Sequence, residues 1–135
     1  MPSSFRSSLV VDKIGNRLWK VYRELQYDIG DLSSGNSIIV PRGFITDFAS
    51  VPRAFWIVLP PDGKYTAAAV VHDFLYHIQD RSRKECDLIF LEAMEVLEVS
   101  WIKRKSMYRA VRLFGWMPWN NHAKKMTISV QSNQD

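Results

Sequence analysis

Four residues in the second half of the chain have the types and the spacing of a base, a metal ligand and an orienting carboxylate. His72 and Asp73 are adjacent, and Tyr76 follows one helical turn later. Asp87 lies in the next predicted helix. Histidine is suited to accept and return a proton near neutral pH, and a carboxylate bound to its ring fixes the tautomer. A second carboxylate beside it can bind a hard cation. The set therefore predicts His72 as a general base, Asp87 as its orienting residue and Asp73 as a metal ligand.

These residues can meet only if two helices run antiparallel. With a turn near residues 80–81, His72 lies about eight residues before the turn and Asp87 about six residues after it. At about 1.5 Å per residue, their heights then differ by about 3 Å, which side chains can span. Tyr65 and Tyr76 share the helical stripe of His72 by their offsets. We therefore expect Tyr76 to bind a carboxylate and Tyr65 to line the same site.

Apolar residues recur at helical spacing in the second half of the chain and predict three helices. Ser82, with Glu85 three residues later, has the pattern of a capping box and predicts the start of the second helix. The third helix is expected over residues 103–114, with Gly115 ending it. The residues expected on its inward face are Met107, Ala110, Val111 and Phe114.

The first half of the chain is strand-like instead. Near-alternation of polar and apolar residues over 8–11 and 17–27, with a turn between them, predicts two strands. A third strand over 37–40 stops at Pro41. The fold class is therefore α+β, with a small N-terminal antiparallel sheet followed by a helical half that contains an antiparallel helix pair. We expect a single domain over 1–135, with a strand-rich part (1–58), a helical part (59–120) and a tail (121–135).

Composition narrows the functional classes. The net charge of +4 is modest, so nucleic-acid binding is not expected. Cys86 is the only cysteine, which rules out an internal disulfide, and its position predicts a buried apolar residue. No run of 18 apolar residues occurs, so we expect no transmembrane segment. The expected location is a cytoplasm-like compartment, unless the chain leaves it inside a larger particle.

The segment His72-Asp73-Phe74-Leu75-Tyr76, followed by Asp87 and Phe90, resembles the active-site helices of phospholipase A2. The resemblance implies a phospholipase-A2-like helix pair and a calcium-dependent hydrolase acting on lipid or other esters. His72 would be the base, Asp73 the calcium ligand and Asp87 the orienting residue, with Tyr76 in support. The chain departs from that family by lacking its paired cysteines and its glycine-rich calcium loop. Asp47 is the carboxylate offered instead.

A second resemblance covers residues 9–114. The segments 43–53 (GFITDFASVPR) and 68–76 (AAVVHDFLY) are similar to an uncharacterised family of tailed bacteriophages and prophages, a domain of unknown function. It implies a phage-encoded and virion-associated protein, with phage structural proteins as partners. Two functions therefore stay open. One is a phospholipase-A2-like hydrolase, and the other is a non-catalytic tail or adaptor component in which the histidine and carboxylates form a buried polar contact between helices.

For three further candidate binding residues, a binding role and a structural role both stay open. Arg53 either binds phosphate or lies on the solvated surface. Trp116 and Trp119 either close the core or form an aromatic docking patch.

Overall fold

The computed structural model describes residues 4–5, 9–15, 18–30, 36–48 and 65–123. Within them, short antiparallel strands precede a helical half, so the predicted α+β class is confirmed. Arg53 lies outside the described residues.

The strands form two small sheets where the sequence predicted one. In the first sheet, β1 (Ser4–Phe5), β4 (Leu25–Asp28) and β5 (Ser37–Val40) lie in the order β1-β4-β5. In the second, β2 (Val11–Gly15), β3 (Leu18–Val21) and β6 (Ile45–Thr46) lie in the order β2-β3-β6. All the pairings are antiparallel.

The single strand predicted over residues 17–27 was wrong because it is divided between the two sheets. Residues 22–24 are all exposed, so the chain leaves the second sheet there and enters the first. Three consecutive exposed residues do not fit the alternating burial of a continuous strand. The second sheet matters for the site because Trp19 on β3 pairs with Thr46 on β6.

The helical half contains α1 (Thr66–Ile78), α2 (Arg83–Val96) and α3 (Trp101–Phe114). Residues 116–123 are helical as well, and include the first residues of the predicted tail. The predicted start of α2 at Ser82 is confirmed, since Ser82 Oγ accepts a hydrogen bond from the Glu85 backbone N–H. None of the described helices has both the length and the apolar character needed to span a bilayer.

Helix α1 is the centre of the core. It packs against α2 on one side and against β5 and β6 on another, while α3 packs against α2. Ala68 and Ala69 are fully buried, and such small side chains let neighbouring elements approach closely. Cys86 on α2 is buried as predicted, and burial raises the pKa of its thiol to about 12. That excludes a thiolate nucleophile at neutral pH.

The inward face of α3 was predicted correctly except at its end. Met107, Ala110 and Val111 are buried, but Phe114 is 51 % exposed. Phe114 is the last residue of the helix, where the apolar period continues but its side chain is no longer covered.

Gly115 follows the last residue of α3, as predicted, but the conformation of its backbone is not what requires glycine there. Its φ of −67° lies in the right-handed region, so no left-handed conformation demands glycine. Space demands it instead. A Cβ at this position would lie 2.5 Å from Tyr76 Oη and 3.1 Å from Arg83 Nη1.

We predict that Gly115→Ala destabilises the fold by about 1–3 kcal/mol, because the methyl group overpacks the contact between α3 and α1. Gly15→Ala is the matched control, since its Cβ meets only Leu18, at 3.7 Å. That change should alter stability by less than about 1 kcal/mol. Urea unfolding of both variants measures the difference. Equal stabilities would show that the space at Gly115 is not restrictive.

Candidate active site

The structure brings together the three residues predicted to be catalytic. The ring Nε2 of His72 lies 2.7 Å from Asp87 Oδ1, and Tyr76 Oη donates to the same oxygen at 2.6 Å. All three side chains are buried. The geometric part of the prediction, that α1 and α2 place His72 against Asp87 with Tyr76 beside them, therefore matches the structure.

The other carboxylate oxygen of Asp87 binds two arginines. Arg112 Nη1 on α3 lies 2.8 Å from Oδ2, and Arg83 Nη1 on α2 lies 3.5 Å from it. Arg83 also donates to the carbonyl oxygens of Val111, at 2.9 Å, and Arg112, at 3.3 Å. One carboxylate thus joins all three helices.

Sequence reasoning missed both arginines as partners of Asp87. Arg83 precedes Asp87 by four residues on the same helix, a spacing at which opposite charges pair, so this contact could have been found. Arg112 is not among the residues expected on the inward face of α3. No local signal links it to Asp87, because they meet only through the packing of α3 on α2.

The surroundings keep Asp87 ionised. Burial raises its pKa, but the hydrogen bond and charge of His72, with hydrogen bonds from Tyr76 and Arg112, hold the pKa below its ordinary value. An ionised carboxylate only accepts hydrogen bonds, so the Nε2–H of His72 must donate. In the neutral ring, the lone pair is then on Nδ1. This is the tautomer that a general base held by a carboxylate requires.

Aromatic packing fixes the plane of the imidazole. The ring of His72 stacks on Phe90 with centroids 4.5 Å apart, and the Tyr76 ring lies 4.3 Å away. Trp119 contacts the edge of Tyr76 at 5.1 Å, and its carbonyl oxygen accepts from Gln79. Trp119 therefore closes the core, whereas Trp116 is 52 % exposed.

Asp73 lies in a different environment from Asp87. Thr46 Oγ1 on β6 donates a hydrogen bond to Asp73 Oδ2 at 2.6 Å, and Thr46 Oγ1 itself accepts one from the Phe48 backbone N–H at 3.0 Å. Asp73 Oδ1 is buried and has no hydrogen-bond partner among the residues that the structure describes. Burial raises the pKa of Asp73 more than the hydrogen bond from Thr46 lowers it, and the charge of Asp47 raises it further.

The backbone beside this carboxylate is strained. Phe48 has a φ of 56°, a left-handed conformation that bulky residues rarely adopt. Its ring is buried against Trp19, which holds the turn that presents Thr46 to Asp73. Asp47 is exposed, and Tyr65 is buried at the start of α1.

The site is closed in this structure. His72, Tyr76 and Asp87 are fully buried, and Asp73 is 3 % exposed. The arrangement supplies an oriented imidazole and a nearby carboxylate with an unsatisfied oxygen, both beneath the surface. In the part of the chain that the structure describes, no group of three or more acidic, histidine or cysteine side chains is placed to share a metal ion.

Fold and site together define an α+β protein with a buried histidine–aspartate pair held between three helices. The chain belongs to the family described as "Protein of unknown function (DUF1353)", whose model matches residues 19–111. The expected membership of a family of unknown function is thereby confirmed. The matched range includes His72, Asp73, Tyr76 and Asp87, and ends one residue before Arg112.

One curated relative is the "Uncharacterized protein y4jT" of Sinorhizobium fredii (strain NBRC 101917 / NGR234). It is 35 % identical to this chain over 78 residues, which is 56 % of this chain and 23 % of that protein. This chain thus matches only about a quarter of the relative's length. No solved structure shows a significant match.

We predict that Asp87→Asn destabilises the protein by about 3 kcal/mol at neutral pH, because two arginines lose a buried counter-charge. Asp80→Asn is the matched control, since Asp80 is exposed and, among the described residues, pairs only with neighbouring Arg81, at 3.2 Å. That change should cost less than about 0.5 kcal/mol. Chemical denaturation measures both.

The effect should depend on pH in one direction. The folded-state pKa of Asp87 is lowered, so its stabilising contribution is complete above the ordinary value of 3.8 and is lost as the pH falls below it. The gap between wild type and Asp87→Asn should narrow on acidification. A cost under about 1 kcal/mol would reduce Asp87 to a residue that merely favours a helix start.

Proposed function

We propose that this protein is an ester hydrolase that works in a phospholipase-A2-like way. The observation that carries the proposal is the 2.7 Å contact between His72 Nε2 and Asp87 Oδ1, with Tyr76 bound to the same oxygen. This contact selects the tautomer whose Nδ1 can take a proton. The proposed substrate is a phospholipid or another carboxylic ester.

In the proposed reaction, His72 Nδ1 takes a proton from water as the water oxygen attacks the ester carbonyl carbon. The imidazolium that forms faces the negative charge of Asp87, which stabilises it. The proton then passes to the leaving oxygen as the carbon–oxygen bond breaks, which yields a carboxylic acid and an alcohol. Arg83 and Arg112 act through Asp87, which they keep ionised and in place.

Calcium is the cofactor that this proposal implies, and Asp73 fits it in part. A buried carboxylate oxygen without a partner is costly, and a hard cation would satisfy it. Asp47 offers a second carboxylate nearby, so the two residues would hold the ion. The described residues supply no third acidic ligand, so main-chain carbonyls or water must complete the shell. Calcium, when bound, would supply positive charge for the oxyanion.

The closed site motivates a second candidate function. A fully buried histidine–aspartate pair tied to two arginines also suits a polar contact that fixes three helices in a protein without catalytic activity. In that case the chain is a structural or adaptor component of a phage tail or virion. The phage context rests on the resemblance of the segments 43–53 and 68–76. Mass spectrometry of purified virions tests it, and absence of the chain from the particles would count against a structural role.

We predict calcium-dependent release of fatty acid from short-chain phosphatidylcholine by the purified protein. His72→Ala should lower kcat at least about a hundredfold, the usual size of a general-base contribution. His77→Ala is the matched control, because His77 is an exposed histidine on the same helix and should keep wild-type activity. If wild type forms no more product than His72→Ala, or if a chelator changes nothing, the calcium-dependent hydrolase is excluded.

We predict that Asp73→Asn stabilises the calcium-free protein at neutral pH by about 1 kcal/mol or more, because it removes a buried charge with an unsatisfied oxygen. Burial raises the folded-state pKa of Asp73 above 3.8. Wild-type stability should therefore rise as the pH falls towards that value, and this component should be missing in the variant.

The same variants are also melted in the presence of calcium. Millimolar calcium should raise the Tm of wild type and of the control Asp12→Asn, an exposed aspartate on β2, but not that of Asp73→Asn. Thermal melts at several pH values record both effects. A variant that is less stable than wild type, together with no calcium shift in wild type, would make Asp73 a structural residue.

A further inference from the structure

The outer face of α3 and the residues just after it expose an unusual amount of apolar surface. The large side chains there are between 47 % and 70 % exposed, and single exposed apolar residues are common whereas contiguous ones mark interaction sites. They are Trp101, Ile102, Leu113, Phe114, Trp116 and Met117. We refer to this set, with the cations between them, as the α3 face.

The same surface is strongly basic. From residue 99 to residue 123 the chain has no acidic residue. Lys103, Lys105 and Arg109 are exposed on α3, while Arg112 turns inward to Asp87. The α3 face therefore presents three cations, which form no ion pair within the residues that the structure describes, together with aromatic and aliphatic side chains.

Its layout is a stripe with apolar ends and cations between them. Ile102, Arg109 and Leu113 follow one another at helical offsets of seven and four residues. At about 1.5 Å per residue, Ile102 and Leu113 are about 16 Å apart. At the first end lies a shallow depression of about 350 Å³, lined by Trp101, Ile102, Lys105, Ser106 and Arg109.

We propose that the α3 face docks on the surface of a bilayer that contains anionic phospholipids. Tryptophan and aliphatic side chains settle at the boundary between headgroups and acyl chains, and lysine and arginine bind the lipid phosphates. The combination of basic and apolar side chains along one surface helix is the pattern of interfacial membrane binding. No membrane insertion of α3 is required, since its inner face is packed on α2.

Charge and composition argue against other occupants. A second copy would place the cations of one α3 face against those of another, which is repulsive. Protein interfaces are depleted in lysine, whereas Lys105 lies beside Arg109 and Ile102 in the depression on this face. A phosphate-bearing surface complements both the lysines and the flanking tryptophans.

If the proposed hydrolase function holds, docking at this face means that the enzyme meets its ester substrate as a lipid in a bilayer. The link is physical, since α3 also carries Arg112, which binds Asp87 Oδ2 at 2.8 Å. The docking itself rests on the surface alone and does not require catalysis.

Vesicle co-sedimentation in the presence of a chelator tests the docking without hydrolysis or calcium bridging. Vesicles of phosphatidylcholine mixed with phosphatidylglycerol should bind the full chain at least about tenfold more strongly than phosphatidylcholine alone. Lys105→Glu with Arg109→Glu should lower the binding at least about tenfold, given roughly 1 kcal/mol for each cation at an anionic surface. Ile102→Ser with Leu113→Ser should weaken it as well and reduce the blue shift of tryptophan emission.

The matched control changes the same charges elsewhere. Lys20→Glu with Arg23→Glu alters two exposed cations of the strand half and gives the same net charge as the α3 variant. Its binding should stay within about threefold of wild type, because only cations near the membrane surface contribute. Circular dichroism confirms that each variant is folded.

The outcomes separate docking from catalysis. Equal losses in the α3 and control variants, or tighter binding to a DNA duplex than to anionic vesicles, would overturn the docking. Vesicle binding, together with no ester hydrolysis in the separate assay with calcium, would support the docking and exclude the hydrolase. Hydrolysis of monomeric short-chain lipid without vesicle binding would do the reverse.

Discussion

The helical half depends on the buried carboxylate of Asp87, because a charge removed from water must be matched by hydrogen-bond donors. His72 and Tyr76 donate to one oxygen, and Arg83 and Arg112 donate to the other. These donors come from all three major helices, so the arrangement of the helices and the ionisation of the carboxylate depend on each other. The close approach at Gly115 belongs to the same contact, since a Cβ there would meet two of the donors.

The two aspartates of the site have opposite energetic characters. Asp87 has partners on both oxygens, and these keep its pKa low, whereas Asp73 has one donor, and burial raises its pKa. A carboxylate with donors on both oxygens, such as Asp87, stabilises the fold and orients its histidine. A buried carboxylate with a donor on one oxygen, such as Asp73, destabilises the fold and is suited to bind a cation or a proton. This contrast supports a functional site more strongly than a buried histidine–aspartate pair does alone.

The sequence predicted the helical half better than the strand half. Helical periodicity and the Ser82–Glu85 cap located α2, and counting along two antiparallel helices predicted the contact of His72 with Asp87. The strands were harder because their pairing is set by distant segments. Residues 22–24 divide one predicted strand between two sheets, and their residue types alone do not mark such a break. Phe114 was misplaced because periodicity says nothing about where a packing partner ends.

The fold class and the helix pair follow from the amino-acid sequence alone, because they depend on hydrophobic period, capping residues and spacing along one or two neighbouring elements. The family follows from it too, through residues 19–111. Three features emerge only when the elements pack. Arg112 reaches Asp87, Asp73 keeps an oxygen without a hydrogen-bond partner among the described residues, and the site is closed to solvent. Each of these depends on contacts between elements far apart in the chain, and the number of donors around a buried charge is fixed only when those elements pack.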